Sequence, residues 1–408
     1  MSLVKDPKSD RRFLLYFALG VILAGLTYLN LLVIRPISSM SDFAVEWSSA
    51  RGFLVSGQNP YGKQAFDSAN DLITKSADPG MISYHDPFYR TILQFPLAAI
   101  PDFDWAAAVR MSLLEVAAVI VMAVVYFSIP WQSEKKYLTF LILILFAWPP
   151  LWLSIATGES TILILMWIGL SYWALRNELP EIGGVTLAFG FTNHEIFGLA
   201  LISILLWVIN RKEWRYLAGF LMTFGLLLAL AHIFNPEWYL GYLGSQIRFW
   251  QNGDLITTSR IFEGSLPATG LTISRILSVI ILALILFEWQ TIARRDKNAF
   301  LWIIGLALAA PAILGIGSKL SWLSVNLVGI YLIVARIANR WKSSGFWLVI
   351  FFLALIELFT AFNMAWFENG SGLLVLSALM VILLYWVRWD STRTTRLWAD
   401  ILEEKGLQ

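Results

Sequence analysis

Asp42 heads the segment Ser41-Asp42-Phe43-Ala44-Val45-Glu46-Trp47, and the chain continues through Ala50-Arg51-Gly52 to Gly57-Gln58-Asn59-Pro60-Tyr61. A carboxylate there could take the proton of an attacking hydroxyl, which is too weakly acidic to ionise near neutral pH. It could equally be a first-turn helix acid, favoured by the macrodipole. Further along stand Asp86, Glu159 after Gly158, the pair His194-Glu195, Arg260 and Lys319. Together these supply what transfer from a phosphate requires: a base, and cations to meet the charge growing on the leaving oxygen. Each also has a structural reading. Asp86-Pro87 opens a turn, Glu159 can cap a helix, and His194 can be a hydrogen-bonded tip histidine. Lys319 can reach up to lipid headgroups, and Arg248 and Arg260 can be surface charges.

The elements that must position these groups are membrane helices. The chain is 58% hydrophobic and only 14% charged, which excludes an ordinary soluble domain. Apolar runs of bilayer-crossing length recur throughout, and 20 tryptophans suit the belts at headgroup depth. With no cysteine, disulfides and thiolate metal sites are excluded. The composition predicts an all-α polytopic protein of the cell membrane, one integral domain over 1–408.

Spans are predicted near 13–34, 109–128, 137–155, 160–175, 215–233, 272–289, 299–316, 320–335, 344–362 and 371–388. The segment 183–209 reads as a hairpin of two shorter helices, 183–193 and 196–209, with Asn193-His194-Glu195 at the tip. That reading returns Arg211, Lys212 and Arg215 to the cytoplasmic side, as the positive-inside rule prefers. Non-helical backbone at membrane depth must line protein or a wet cavity. The count is then about twelve helices, with both termini cytoplasmic and a cytoplasmic tail at 389–408. Lys135-Lys136, Arg294-Arg295-Asp296-Lys297 and Arg336 to Lys342 become short inner loops.

Two extracytoplasmic segments are longer than connectors, 35–108 and 234–271. The first holds eight acids against five Lys and Arg. Within it Phe43, Trp47, Ala50 and Leu54 recur at helical spacing with Glu46 and Ser49 facing elsewhere, which predicts an amphipathic helix on the membrane surface. Asp102-Phe103-Asp104, an acid-x-acid pattern that can hold a metal on a nucleotide sugar, is better read as a helix cap. Glu115, Glu288, Glu357 and His232 fall in or near apolar spans and predict hydrogen bonds between helices. No phosphate-cradling glycine loop, zinc spacing or basic stripe for nucleic acid is present. No metal or cofactor is expected.

These residues resemble glycosyltransferase family 87. Asp42-Phe43, Ala50-Arg51, Gly57 and Asn59-Pro60-Tyr61 are similar to that family's first outer loop, and Tyr84 to Pro87 with Pro96-Leu97 and Ile100-Pro101 to its continuation. Pro149-Pro150 through Gly158-Glu159 resembles the turn before its fourth span, where Gln usually follows the Gly. Gly183-Gly184 through His194, then Arg211-Lys212-Glu213-Trp214, resembles its hairpin, which usually carries Lys-Pro at the tip. Ser318 to Trp322 resembles a Ser-Pro-x-x-Trp segment usually trailed by His. The resemblance implies a GT-C-like fold with a long first extracytoplasmic loop. It also implies inverting transfer of mannose or a related sugar from a polyprenyl-phosphate donor to a glycolipid or glycan acceptor. Asp42 would be the base, with His194, Lys319, Arg260, Glu159 and Asp86 binding the donor phosphate and substrate. The rival reading is a transporter or flippase, which predicts an internal repeat and a midplane site; the sequence shows no repeat.

Overall fold

The computed structural model describes residues 7–37, 40–73, 84, 86–128, 142–144, 148–192, 194–252, 262, 266, 268–292, 297–314, 320–362 and 371–392. These form helices and their connections, with no strand among them. The first five helices are α1 (Pro7–Ile37), α2 (Ser41–Ser56), α3 (Lys63–Ile73), α4 (Phe88–Ala98) and α5 (Phe103–Ser128). They are followed by α6 (Pro149–Thr157), α7 (Thr161–Arg176), α8 (Pro180–Gly190), α9 (His194–Asn210) and α10 (Trp214–Phe234). Then come α11 (Trp238–Asn252), α12 (Gly270–Ile292), α13 (Lys297–Ala309), a 3₁₀ helix (Leu320–Asn326), α14 (Leu327–Phe362) and α15 (Ser371–Thr392).

Five segments among the described residues are long and apolar enough to cross a bilayer: Phe17–Ile34, Phe103–Ser128, Trp214–Phe234, Gly270–Trp289 and Leu320–Ile337. The pair α6 and α7 passes together but bends by 113°, and Phe197–Asn210 and Leu374–Arg388 are shorter apolar helices. Large apolar side chains on α1, α10 and α12 point outward, among them Phe17, Ile22, Met222, Ile233, Val279 and Phe287. That surface suits acyl chains rather than water.

Two expectations are corrected. The spans predicted at 320–335 and 344–362, joined by a basic loop, are not separate: α14 runs unbroken through Arg336 and Lys342. Its 36 residues correspond to about 54 Å of helix, well beyond a hydrocarbon core of about 30 Å. The inner loop expected at Arg336 to Lys342 is therefore helix. The span predicted at 137–155 is also divided, since Pro149 and Pro150 start α6 at its first helical positions, where a missing amide proton costs nothing.

The expected break between two short helices at 183–209 is present: α8 ends at Gly190 and α9 begins at His194. Asn193 lies outside the described residues. Each half finds its main partners elsewhere, α8 against α10 and α7, and α9 against α13. The α8–α10 contact is close because it is made of glycines. A Cβ on Gly184 would lie 2.1 Å from the Tyr216 carbonyl oxygen, and one on Gly219 would lie 2.5 Å from that of Glu181. Small residues that let backbones approach are the usual device for packing helices in lipid. Gly184→Ala is expected to force the helices apart and cost about 1–3 kcal/mol, read as a lower unfolding temperature in detergent. An unchanged temperature would contradict the contact.

Polar side chains in the spans pair across helices, as expected for Glu115 and Glu288. Asn30 Nδ2 on α1 donates to Glu115 Oε2 on α5 at 2.9 Å and to Ser112 Oγ at 3.0 Å, and Arg388 on α15 pairs with Glu288 on α12. Asp102 caps α5, its Oδ1 accepting from the Trp105 amide at 3.1 Å, which upholds the capping reading of Asp102-Phe103-Asp104.

Candidate active site

The segment after α1 folds into three helices that pack on one another and on α5. α3 is amphipathic, with Ala65 and Ala69 buried and Lys63, Gln64, Asp67, Ser68 and Asp71 exposed. α2 is not. Every residue from Phe43 to Ala50 is buried, Glu46 and Ser49 included. The expectation of a surface helix with Glu46 facing out is overturned, because α4, α5 and the turn at 158–160 cover that face.

Residues of the Asp42-to-Tyr61 motif lock this arrangement. Arg51 Nη1 donates to the carbonyls of Ala98 at 2.9 Å and Ile100 at 3.3 Å, closing the end of α4. Trp47 Nε1 reaches the Leu97 carbonyl at 3.2 Å. The Asn59 side chain accepts from the Tyr61 amide at 3.0 Å, and Tyr61 Oη donates to the Asp86 carbonyl at 2.9 Å. Burial pushes the Tyr61, Tyr84 and Tyr89 phenols well above their ordinary range, so all three stay neutral hydrogen-bonding groups.

At the centre lies the Glu46 carboxylate, with the residue 5% exposed. Arg90 Nη2 on α4 donates to its Oε1, and Gln94 Nε2, one turn on, donates to its Oε2 at 2.8 Å. Arg110 Nη2 on α5 reaches Oε2 at 3.3 Å, and Ser160 Oγ donates to Oε1 at 3.0 Å. Arg90 also pairs through Nη1 with Asp86. Arg110, 1% exposed, donates through Nε and Nη2 to the Gly158 carbonyl at 3.2 Å each and through Nη2 to Ser160. Burial pulls the Arg90 guanidinium down, but the Asp86 and Glu46 carboxylates beside it outweigh that and raise it. It is charged at every working pH.

Gly158 explains why α6 bends into α7 here. Its φ is +74°, a left-handed conformation that glycine adopts without strain, and a Cβ would stand 2.5 Å from the Phe43 Cβ and 3.0 Å from the Met40 sulfur. The turn carrying Glu159 thus rests on the first turn of α2, which carries Asp42.

A cavity of about 540 Å³ opens beside this network, inside the range of small-molecule sites. Its polar end is Arg90, Gln94, Arg110 and Ser160, with Thr192 at the break between α8 and α9. Its walls are apolar, with Leu93 and Leu97 from α4, Leu163 and Trp167 from α7, and Phe189 from α8. Tyr89 Oη donates to the Phe191 carbonyl at 2.6 Å, tying α4 to that same break.

The profile of glycosyltransferase family 87 matches residues 84–316, more than half of the 408 residues. The chain belongs to glycosyltransferase family 87. It is a multi-pass membrane glycosyltransferase. No curated protein and no solved structure matches it. The family 87 match covers Asp86, Arg90, Arg110 and Glu159 and begins after Asp42 and Glu46.

Of the residues singled out in this family 87 chain, three fall in or against one cluster. Asp42 stands partly exposed in the first turn of α2, one turn before Glu46; Glu159 is buried in the turn at 158–160; Asp86 is buried against Arg90. His194 starts α9 two residues after Thr192, and its side chain is outside the described set. Arg260 and Lys319 lie outside the described residues. Glu46, Arg90, Gln94, Arg110 and Ser160 were not expected as site residues. Their signals were present: Arg90 and Gln94 share one face of α4 with Asp86 four residues before Arg90, and Arg110 is a charge at the head of an apolar run, which demands a partner.

Proposed function

We propose that this enzyme transfers a sugar from a polyprenyl phosphate to a hydroxyl of a glycolipid or glycan at the extracytoplasmic face of the cell membrane, inverting the anomeric carbon. The observation that carries the reading is the cavity, apolar along most of its wall and polar at the end that meets the helix bearing Asp42. Such a site suits a donor with an aliphatic chain and a polar head. In the reaction the acceptor oxygen bonds to the anomeric carbon as the bond from that carbon to the phosphate oxygen breaks. The phosphate leaves with the electron pair, and the acceptor proton passes to Asp42.

The two guanidiniums at the polar end are balanced by Glu46 and Asp86, so that end recognises the donor by hydrogen bonds rather than by net charge. The charge growing on the phosphate then falls to His194, Lys319 and Arg260, with Glu159 and Asp86 ordering the first loop around the substrate.

Filling the cavity tests this. In proteoliposomes supplied with polyprenyl-phosphate mannose and a membrane lipid extract as acceptor, Leu163→Trp should raise the donor KM about tenfold and leave kcat little changed, the pattern of lost uniform binding. An unchanged donor KM would remove the cavity from the donor site.

A further inference from the structure

We propose that Glu46 is a positioning residue for transfer, fixing the first turn of α2 so that Asp42 is held at the polar end of the cavity. The proposal rests on the reading of Asp42 as the base. Glu46 follows Asp42 by four residues, so the two lie within about 40° of each other around the helix. The other anchors of the turn that carries Asp42 are apolar: Met40 and Phe43 are buried with Gly158 seated against both, and Met40 supplies no side-chain cap. Asp42 itself is partly exposed. Glu46, in contrast, is gripped from three directions, by Arg90 and Gln94 on α4, by Arg110 on α5 and by Ser160 at the start of α7.

All three of those elements also build the cavity end, since Arg90, Gln94, Arg110 and Ser160 line it. The carboxylate therefore fixes the α2 backbone relative to the atoms that face the substrate. A network serving stability alone would not need to join the base-bearing turn to the cavity wall.

A residue that acts through Asp42 loses its importance once Asp42 is disabled. In the full-length protein, assayed in proteoliposomes with polyprenyl-phosphate mannose, Glu46→Gln should lower kcat about a hundredfold, the scale of a misplacement near 1 Å. Donor KM should rise far less than kcat falls, because the hydrogen-bonding groups of Arg90, Gln94, Arg110 and Ser160 stay at the cavity end. In the Asp42→Asn background the same change should lower the residual rate by less than about threefold, a coupling that a double-mutant cycle reads directly. Equal losses in both backgrounds would make Glu46 structural and overturn the proposal while leaving Asp42 as the base. Normal transfer by Asp42→Asn alone would overturn both. If Glu46→Gln does not give folded protein, Ser160→Ala removes one of the bonds to Glu46 and should show the same cycle with a loss of about tenfold; no coupling to Asp42 would again overturn it.

Discussion

Glu46→Leu is expected to destabilise the protein by about 3–5 kcal/mol, the cost of removing one partner from a buried ion network. The leucine fills similar space, so packing is not what is lost. What remains is a pair of guanidiniums, on Arg90 and Arg110, that had shared the carboxylate between them. Arg90 keeps Asp86, and Arg110 keeps the Gly158 carbonyl, but the charge that offset their repulsion is gone. Gln94 Nε2 and Ser160 Oγ lose their acceptor too, and buried donors left unmade cost about 1–3 kcal/mol each. The change should appear as a fall of several degrees in Tm, followed by tryptophan fluorescence in detergent. The double variant Glu46→Leu, Arg110→Leu should recover part of the loss, since replacing a whole buried pair with apolar groups is often neutral. A single variant as stable as the parent, or a double variant worse than the sum, would show that the network is not what holds α2, α4 and α5 together.

Much of the scaffold was legible because it follows from local rules. Asp102 before an apolar run announces a helix start, and it caps α5. Asn30 and Glu115, polar in apolar helices, find each other. The failures share one cause. Glu46 on α2 looked like the polar face of a surface helix because periodicity reports only that a face differs, not what covers it. Its cover comes from Arg90, Arg110 and Ser160, up to 114 residues away in the chain. Likewise Arg336 to Lys342 looked like a cytoplasmic loop because charges usually interrupt spans, yet these residues are compatible with helix and α14 continues through them. Charge in a membrane chain signals either an exit from the bilayer or a buried partner, and the local sequence does not separate the two.

Asp42→Asn is expected to lower kcat about a thousandfold, near 4 kcal/mol of barrier, within the range that a positioned general base contributes. The substitution is nearly isosteric and keeps the residue in the first turn of α2, but an amide cannot take the acceptor's proton. The same variant weighs the structural alternative. If Asp42 served only as a first-turn acid complementing the helix dipole, its loss would cost about 0.3–1 kcal/mol of stability and leave chemistry intact. The two readings therefore predict opposite splits: a large kcat loss with a small Tm shift, or a measurable Tm shift with normal turnover. Donor KM should be unchanged, because Asp42 meets the acceptor proton and not the lipid chain. The acidic limb of the kcat–pH profile, which reports protonation of the base in the bound complex, should disappear in the variant. A kcat within tenfold of the parent, or an acidic limb that survives the substitution, would move the base elsewhere, and Glu159, buried in the turn that packs against the helix start beside Asp42, would be the next carboxylate to replace.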